Sequence, residues 1–259
     1  MDMNNTESSD SRQKVSKIPM LATLKSIFFR KDTLAFVTCV LVFFVWPRLD
    51  LLVGHIFFNE QTGGFHGVDS GFLFIAYEVL GSIQIPILLI VCFRVIYSWL
   101  KKDTVARKNY LFLLACLLVG PGILVNLVLK ENSTGRPRPR NVVEFGFESK
   151  FTGPFEYSGA CKKNCSFVSG HSSVGFFLIA IAWVTRQRRY LVLGITVGAA
   201  IGLMRMSQGG HFLSDVIFSF WAVYGVTLLM ACMFKMENPH SSTESAGDKA
   251  DAYGVPSSG

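Results

Sequence analysis

His211 and Asp215 have the spacing of a paired imidazole and carboxylate. Four residues apart on a helix, their side chains would lie on the same face. A carboxylate next to an imidazole fixes the ring tautomer and stabilises the cation that forms when the ring attacks an electrophile. His211 is therefore the candidate nucleophile of a phosphoryl transfer through a phosphohistidine intermediate, with Asp215 as its partner.

A second histidine, His171, follows Ser169 and Gly170 directly in front of an apolar run. It has no carboxylate close by in the sequence, which suits it to protonating a leaving alcohol. Ser169 is predicted to cap the helix that follows, and the free backbone N–H groups at such a start bind anions. This segment supplies the predicted general acid and part of the predicted phosphate site.

Cationic side chains flank these segments on both sides. Lys130, Arg138 and Arg205 would neutralise the oxygens of the transferred phosphoryl group, where most catalysis of this kind resides. Arg136, in the string Gly-Arg-Pro-Arg-Pro-Arg at 135–140, is a possible further phosphate ligand. Because the set contains one carboxylate and a two-metal phosphatase would need several, we expect no metal and no other cofactor.

The composition indicates that these residues are positioned by membrane helices. Half of the residues are hydrophobic and only 17% are charged, which is typical of an integral membrane protein. The net charge of +7 falls in short clusters between apolar runs. That distribution indicates membrane topology, so we expect no nucleic-acid partner.

The apolar runs predict an all-α, polytopic membrane protein with a bundle of six transmembrane helices. The predicted helices cover residues 33–58, 72–100, 109–129, 172–185, 190–204 and 211–234. The first should be broken or kinked near Pro47, and the third kinked at Pro121. The predicted division is a cytoplasmic segment 1–30, a membrane domain 31–236 and a disordered cytoplasmic tail 237–259.

Basic clusters precede the first helix and fall between the second and third and between the fourth and fifth. Six helices put all three clusters on one side, which would be the cytoplasm. Lys130, His171, Arg205 and His211 then fall together on the opposite, non-cytoplasmic face. The active site is expected at that end of the bundle.

Cys161 and Cys165 share the polar loop in front of His171. A disulfide would tether this loop if it faces an oxidising compartment. A zinc site would need a second ligand pair, which is not nearby in the sequence. Reduced structural thiols are the third alternative.

The chemical residues recur in an order that resembles a known family. Lys130…Arg138-Pro139, Ser169-Gly170-His171 and Arg205…His211…Asp215 are similar to the three-part signature of the type 2 phosphatidic acid phosphatase superfamily. The resemblance implies a six-helix phosphatase with His211 as nucleophile, Asp215 as its partner and His171 as acid. It implies phosphate binding by Lys130, Arg138, Ser169, Gly170 and Arg205.

Two positions depart from the family pattern. Seven residues separate Lys130 from Arg138, where the family has six, so either the loop bulges at 132–133 or Arg136 takes over part of the role. Met204 stands where the family usually has a serine before the arginine of its third motif. No hydroxyl contact to phosphate is therefore expected from position 204.

Softer features resemble one bacterial group within the superfamily. The string at 135–139, Asn164-Cys-Ser-Phe-Val-Ser-Gly-His171 and Leu49-Asp50-Leu51 are similar to bacterial lipid A phosphatases. The resemblance implies removal of a phosphate from lipid A, the 4′ position ahead of the 1 position, at the periplasmic face of the bacterial inner membrane. The partners implied are the membrane and a phosphorylated lipid.

Other functions fit the same residues. A phosphatase of undecaprenyl pyrophosphate, phosphatidylglycerophosphate or phosphatidate, or a lipid phosphotransferase, would use the same constellation. A lipid transporter or a membrane scaffold is the non-enzymatic alternative. A transporter would place its charges near the bilayer midplane, whereas here they lie at helix ends.

Overall fold

The structure is a computed structural model that describes residues 31–130, 134–237 and 239. The predicted N-terminal segment 1–30, the predicted bulge at 132–133 and nearly all of the predicted tail lie outside the described residues. The chain forms two units, residues 1–40 and 41–259. Of the first, the described part is residues 31–40, the start of the first helix, and the candidate site lies in the second.

The first predicted span is broken where the sequence predicts it. Helix α1 (Lys31–Val45) ends before Pro47, and α2 (Leu49–Ile56) begins after it, with a bend of 88°. Proline lacks a backbone donor and clashes with the preceding turn, which ends the helix. A short antiparallel hairpin follows, in which β1 (Phe58–Asn59) pairs with β2 (Gly64–Phe65).

The rest of the described chain is mostly helical. Its α-helices are α3 (Gly71–Ser82), α4 (Gln84–Leu100), α5 (Thr104–Leu117), α6 (Gly170–Phe176), α7 (Ile181–Thr185), α8 (Arg188–Ser207) and α9 (Leu213–Met233). Helix α5 continues as a wider π-helix, Leu118–Lys130, which contains Pro121. Short 3-10 turns form at Pro139–Asn141, Val143–Phe145 and Phe177–Ala180.

Four helical segments of the described chain are long and apolar enough to cross a membrane. They are Gly71–Leu100, Thr104–Lys130, Arg188–Ser207 and Leu213–Met233. The bent pair α1 and α2 would make a fifth if it forms one span. The prediction of a helical membrane protein is confirmed, but the described chain supplies four or five spans where the sequence predicted six.

The difference lies in the predicted fourth helix. Its counterpart, Gly170–Thr185, is an apolar segment shorter than the others, whereas a span needs about 20 residues. It lies inside the bundle, because α6 packs against α8, α9 and the π-helix. At this length a sixth span is not confirmed in the described chain.

Two apolar clusters hold the site-bearing segments in place. One joins α5, the segment 177–183 and α9 through buried side chains such as Phe112, Trp183 and Met230. The other joins the hairpin, the loop before α6 and the start of α9 through Phe65, Phe145 and Phe212. The long loop 134–169 is therefore packed onto the same end of the bundle at which α9 begins.

Candidate active site

His211 lies in the short connection between α8 and α9 and is 2% exposed. Its Nδ1 lies 2.8 Å from the backbone carbonyl oxygen of Ser166. A carbonyl oxygen only accepts hydrogen bonds, so Nδ1 carries the proton and the neutral ring has its lone pair on Nε2. Nε2 is buried and has no hydrogen-bond partner among the described residues.

Burial lowers the pKa of His211 to about 4, and the neighbouring Asp215 carboxylate opposes this shift without cancelling it. His211 precedes the span that starts at Leu213, so the burial comes from surrounding protein. The imidazole is therefore neutral at pH 7, which is the protonation state of a nucleophile.

Asp215 is fully buried in the first turn of α9. Its Oδ2 accepts hydrogen bonds from the Ser166 hydroxyl at 2.5 Å and from the Phe212 N–H at 2.8 Å. The same oxygen lies 3.5 Å from Nδ1 of His211. The predicted pairing brings the two side chains together, but the ring donates its hydrogen bond to the Ser166 carbonyl. The carboxylate therefore acts on the imidazole through its charge and through a longer contact to the same nitrogen.

Arg136 binds two carboxylates in the protein interior. Its Nη1 lies 2.7 Å from Oδ1 of Asp215, and its Nη2 lies 2.7 Å from Oδ2 of Asp50. Its Nε donates to the carbonyl oxygen of Thr152 at 2.9 Å, and its guanidinium lies 4.2 Å from the ring centroid of Phe212. The structure thus places the possible phosphate ligand Arg136 inside an ion-pair network, with its donors directed at protein groups.

Asp50 completes this network from α2. Its two carboxylate oxygens accept from the backbone N–H of Ser214 at 2.8 Å and from the Ser214 hydroxyl at 2.6 Å. Residues from α2, the loop and the start of α9 are thereby joined in one buried cluster. Sequence reasoning assigned no role to Asp50, although the resemblance to the bacterial group included it.

Arg138 lies on the other side of Pro137 and is 8% exposed. Its Nε and Nη2 both donate to the carbonyl oxygen of Asn164, at 3.1 and 2.7 Å. Burial, and then the charge of Arg140, lowers the pKa of Arg138. The charge of Arg138 acts on both histidines, so this arginine lies near them.

Arg205 ends α8 beside the same histidines and is 3% exposed. Its guanidinium lies 4.4 Å from the ring centroid of Tyr77, and its Nη1 donates to the side-chain oxygen of Gln208. Gln208 is held in turn, because its Nε2 donates to the carbonyl oxygen of Leu73 at 3.0 Å. Nε of Arg205 has no hydrogen-bond partner within the described part of the chain.

His171 lies one residue into α6, with its ring centroid 4.9 Å from that of Tyr77. The charges that act on it are those of Arg205, His211, Lys130 and Arg138. The predicted acid, the predicted nucleophile and the three predicted cations therefore share one site.

Gly170 lets Lys130 approach the start of α6. A Cβ atom at Gly170 would lie 2.5 Å from Oδ1 of Asn126 and 3.4 Å from Nζ of Lys130. Any larger residue would push these two side chains away. The glycine of the Ser-Gly-His segment thus keeps the end of the π-helix close to His171.

Ser169 caps α6, as predicted. Its hydroxyl oxygen accepts from the backbone N–H of Ser172 at 3.4 Å. Its backbone N–H donates to the carbonyl oxygen of Asp215, and its own carbonyl accepts from the Ser219 hydroxyl. These bonds fix the N-terminus of α6 against α9, and therefore fix His171 relative to His211.

Sequence reasoning missed several residues that shape the site. Ser166 contacts both His211 and Asp215, while Tyr77 and Gln208 hold Arg205. Ser166 lies in the string that resembles the bacterial group, but nothing local distinguishes its role. Tyr77 and Gln208 had no such signal.

Cys161 and Cys165 form a disulfide in the loop before α6, which decides among the three alternatives. Within residues 31–130, 134–237 and 239, no three His, Cys, Asp or Glu side chains are grouped so as to hold a metal ion.

Comparison with known proteins adds a family. The sequence profile of the PAP2 superfamily matches residues 109–239. A lipid A 4′-phosphatase of Francisella tularensis subsp. novicida is 38% identical over 197 residues, covering 71% of this chain and 88% of that protein. One from Rhizobium etli is 30% identical, covering 68% and 75%. A lipid A 1-phosphatase of Rhizobium etli is 39% identical over 101 residues, covering 39% and 40%. No solved structure matches the chain significantly.

Proposed function

The chain belongs to the PAP2 superfamily, and from this premise we propose that it is a membrane phosphatase that removes a phosphate from lipid A through a phosphohistidine intermediate. One observation carries the proposal. The buried His211 has its Nδ1 proton directed at the Ser166 carbonyl, so its Nε2 lone pair is available beside a cluster of cations. In this tautomer the lone pair on Nε2 of the neutral imidazole can attack the phosphorus atom of a bound phosphate.

In the proposed first step, Nε2 of His211 attacks phosphorus and the bond from phosphorus to the sugar oxygen breaks. Burial, and then the charge of Arg205, lowers the pKa of His171 to about 3, so the ring is neutral before substrate binds. In this proposal the bound phosphate dianion offsets the surrounding cations, so that His171 takes up a proton and gives it to that oxygen, which leaves as an alcohol. Lys130, Arg138 and Arg205 hold the phosphoryl oxygens, and the backbone N–H groups that follow Ser169 and include Gly170 add to this anion site. The charge that develops on the His211 ring is stabilised by Asp215.

In the second step, water attacks the phosphohistidine. His171, now unprotonated, accepts the proton of the water, the nitrogen–phosphorus bond breaks and inorganic phosphate leaves. His211 returns to its neutral tautomer and His171 to its protonated form. The cycle is balanced by one water molecule, consumed in place of the alcohol released, and it needs no metal.

In this proposal Arg136 and Asp50 do not contact phosphate and act through Asp215. A carboxylate inside a protein is costly unless it is paired and hydrogen-bonded. Arg136 pairs with Asp215 at 2.7 Å, and Asp50 accepts from the other end of the guanidinium at 2.7 Å and so fixes its orientation. In this proposal they are positioning residues, which keep Asp215 ionised and fixed beside His211.

The relatives support lipid A as the substrate, with the 4′ position ahead of the 1 position. Relatives named lipid A 4′-phosphatase are covered over 88%, 75% and 83% of their length. Those named lipid A 1-phosphatase are covered over 40% and 45%. The similarity to the first group therefore extends over most of the molecule, including the parts outside the catalytic segments.

These relatives and the apolar helices indicate a bacterial membrane protein. We propose that it resides in the inner membrane with the site facing the periplasm. The basic clusters before α1 and between α4 and α5 support this orientation, because they lie on the side opposite Lys130 when the α1–α2 pair is one span. The disulfide Cys161–Cys165 supports it too, since disulfides persist in oxidising compartments.

The test uses protein purified in detergent and lipid A that carries one phosphate, at either the 4′ or the 1 position. Mass analysis of the products should show faster loss of the 4′ phosphate. Undecaprenyl pyrophosphate, phosphatidylglycerophosphate and phosphatidate are included as competing substrates. Faster release from any of these would replace lipid A as the substrate, and no release from any lipid would overturn the phosphatase function.

A further inference from the structure

A cavity of about 380 Å³ lies beside the proposed catalytic cluster, in the loop before α6. Its walls come from two parts of the loop, within 137–141 and 160–164 but without Pro139 and Lys162, together with Ser149. Arg140, Asn141, Lys163 and Asn164 are exposed, so the cavity opens to solvent. Its volume is at the lower end of the range for small-molecule sites, about 300–1,000 Å³, which suits part of a headgroup.

The lining carries one sign of charge. Arg138, Arg140 and Lys163 line it, and none of the lining residues is an aspartate or glutamate. The two arginines repel each other, because the charge of Arg140 contributes to lowering the pKa of Arg138. Binding an anion between them would relieve this repulsion and add charge-assisted hydrogen bonds.

The walls are fixed by the backbone. The N–H of Arg140 donates to the carbonyl oxygen of Gly209 at 3.1 Å, and that of Ser149 donates to Asn141 at 2.8 Å. The N–H of Cys161 donates to Gly135 at 2.9 Å, and the disulfide to Cys165 closes this wall. A ligand would therefore meet a largely preformed surface, which lowers the entropy cost of binding.

The cavity is separate from the site that contains the two histidines. Neither histidine nor Arg205 lines it. Arg138 belongs to both places, since its charge acts on His171 and His211 and its side chain also lines the cavity. An anion in the cavity would therefore lie close to the phosphate under attack without occupying its place.

We propose that this cavity, lined by Arg138, Arg140 and Lys163, binds a second anionic group of the lipid substrate while the first phosphate is at His211. The group is a phosphate or a carboxylate carried by the saccharide headgroup. This inference rests on the proposed function and narrows it to lipids that carry at least two anionic groups. Arg140 and Lys163 would then determine specificity and take no part in bond breaking.

The experiment compares a disaccharide lipid bearing two phosphates with its counterpart bearing only the phosphate that is removed. Arg140→Ala and Lys163→Ala should each raise KM for the first lipid about tenfold, as expected for one lost charge-assisted hydrogen bond. For the second lipid KM should stay within about twofold, and kcat should not change for either. Lys162→Ala is the matched control, because Lys162 is exposed in the same loop and does not line the cavity.

Equal increases in KM for both lipids, or an equal effect of Lys162→Ala, would mean general attraction to a charged surface and would overturn the proposal. Inhibition by inorganic phosphate separates free phosphate from a lipid group. If Lys163→Ala weakens inhibition by inorganic phosphate but leaves both KM values unchanged, the cavity binds free phosphate and the lipid assignment is wrong.

Binding to His211→Asn protein tests the cavity without turnover. The two-phosphate lipid should bind about tenfold more tightly than the one-phosphate lipid, and Lys163→Ala should remove this difference. If the wild-type protein releases no phosphate from either lipid, the proposed function fails, whereas the binding difference still stands or falls by itself. Equal binding of the two lipids would overturn the subsite.

Discussion

Arg136 and Asp215 form an ion pair of 2.7 Å in which both side chains are fully withdrawn from solvent. Asp215 is also the carboxylate nearest to the His211 ring. Removing one partner of a buried pair leaves an uncompensated charge, which costs about 3–5 kcal/mol. The electrostatic setting of the proposed nucleophile therefore depends on an arginine that makes no contact with phosphate in the proposed mechanism.

Replacing Arg136 should damage both stability and activity. We expect Arg136→Gln to lower the free energy of unfolding by about 3–5 kcal/mol, since it leaves Asp50 and Asp215 unpaired. Arg136→Lys keeps the charge but not the two-pronged geometry, so it should fold and lose kcat rather than substrate affinity. Thermal inactivation and steady-state kinetics in detergent measure both effects. Arg188→Gln, an exposed arginine at the start of α8, serves as the control. An Arg136→Gln protein as stable as wild type would contradict the network.

Replacing the two histidines should have different effects on phosphate release and on the phosphorylated intermediate. His211→Asn should abolish phosphate release and the phosphorylated enzyme together, because the nucleophile is gone. His171→Asn should slow release by about 10²–10⁴-fold, the usual contribution of a general acid. Acid quenching with labelled lipid traps the intermediate. His66→Asn, an exposed histidine in the hairpin region, should behave as wild type. A labelled intermediate in His211→Asn protein would rule out His211 as the nucleophile.

The titration of His211 should lie well below that of an ordinary histidine. Burial places its pKa at about 4, below the ordinary 6.5. The unfolded chain then binds the proton more tightly than the folded one, so stability falls as pH drops from about 6.5 to about 4. The nucleophilic form persists down to that lower limit. NMR of protein with ¹⁵N-labelled histidine, assigned by loss of the signal in His211→Asn, measures this directly. Titration near 6.5 would contradict the buried, neutral ring.

Excess EDTA should leave most of the activity intact. The charge on the phosphoryl oxygens is offset by Lys130, Arg138 and Arg205 in the proposed mechanism, so no divalent ion is needed for that task. Phosphate release is measured before and after dialysis against the chelator. Strong loss that is rescued by a divalent cation would refute this part of the mechanism.

Tyr77 should matter through its ring rather than its hydroxyl. The ring lies 4.4 Å from the Arg205 guanidinium and packs against His171. Cation–π contacts of this kind contribute about 0.5–2 kcal/mol, so Tyr77→Leu should reduce kcat/KM by roughly 3- to 30-fold. Tyr77→Phe keeps the ring and should stay within about twofold of wild type. Equal losses in both variants would mean that the hydroxyl is the important group.

The sequence predicted the parts of the site that lie in short local patterns. The i, i+4 spacing of His211 and Asp215, and the N-cap at Ser169, depend on a few neighbouring residues. The break at Pro47 was predictable for the same reason. The cap follows from helix geometry, whereas His211 and Asp215 meet across the start of α9 and not along one helical face, because α9 begins only at Leu213.

Contacts between distant residues were not predictable in this way. Arg136 binds Asp50 across 86 residues of sequence and Asp215 across 79. Nothing local distinguishes an arginine bound to carboxylates from one that faces phosphate, and Arg136 and Arg138 differ by only two positions. The prediction of six spans is confirmed for only four or five within the described residues, since Gly170–Thr185 is shorter than the about 20 residues that a crossing needs.

The bond between Asp50 and Arg136 also limits how far the catalytic half can be separated from the rest. The family match begins at residue 109, whereas Asp50 belongs to α2, well before it. A fragment covering only the matched region would retain every proposed catalytic group and still lack one of the two carboxylates that bind Arg136. The matched region therefore depends on the segment before it. Substitutions near Pro47 can change the electrostatic environment of His211 without contacting that residue.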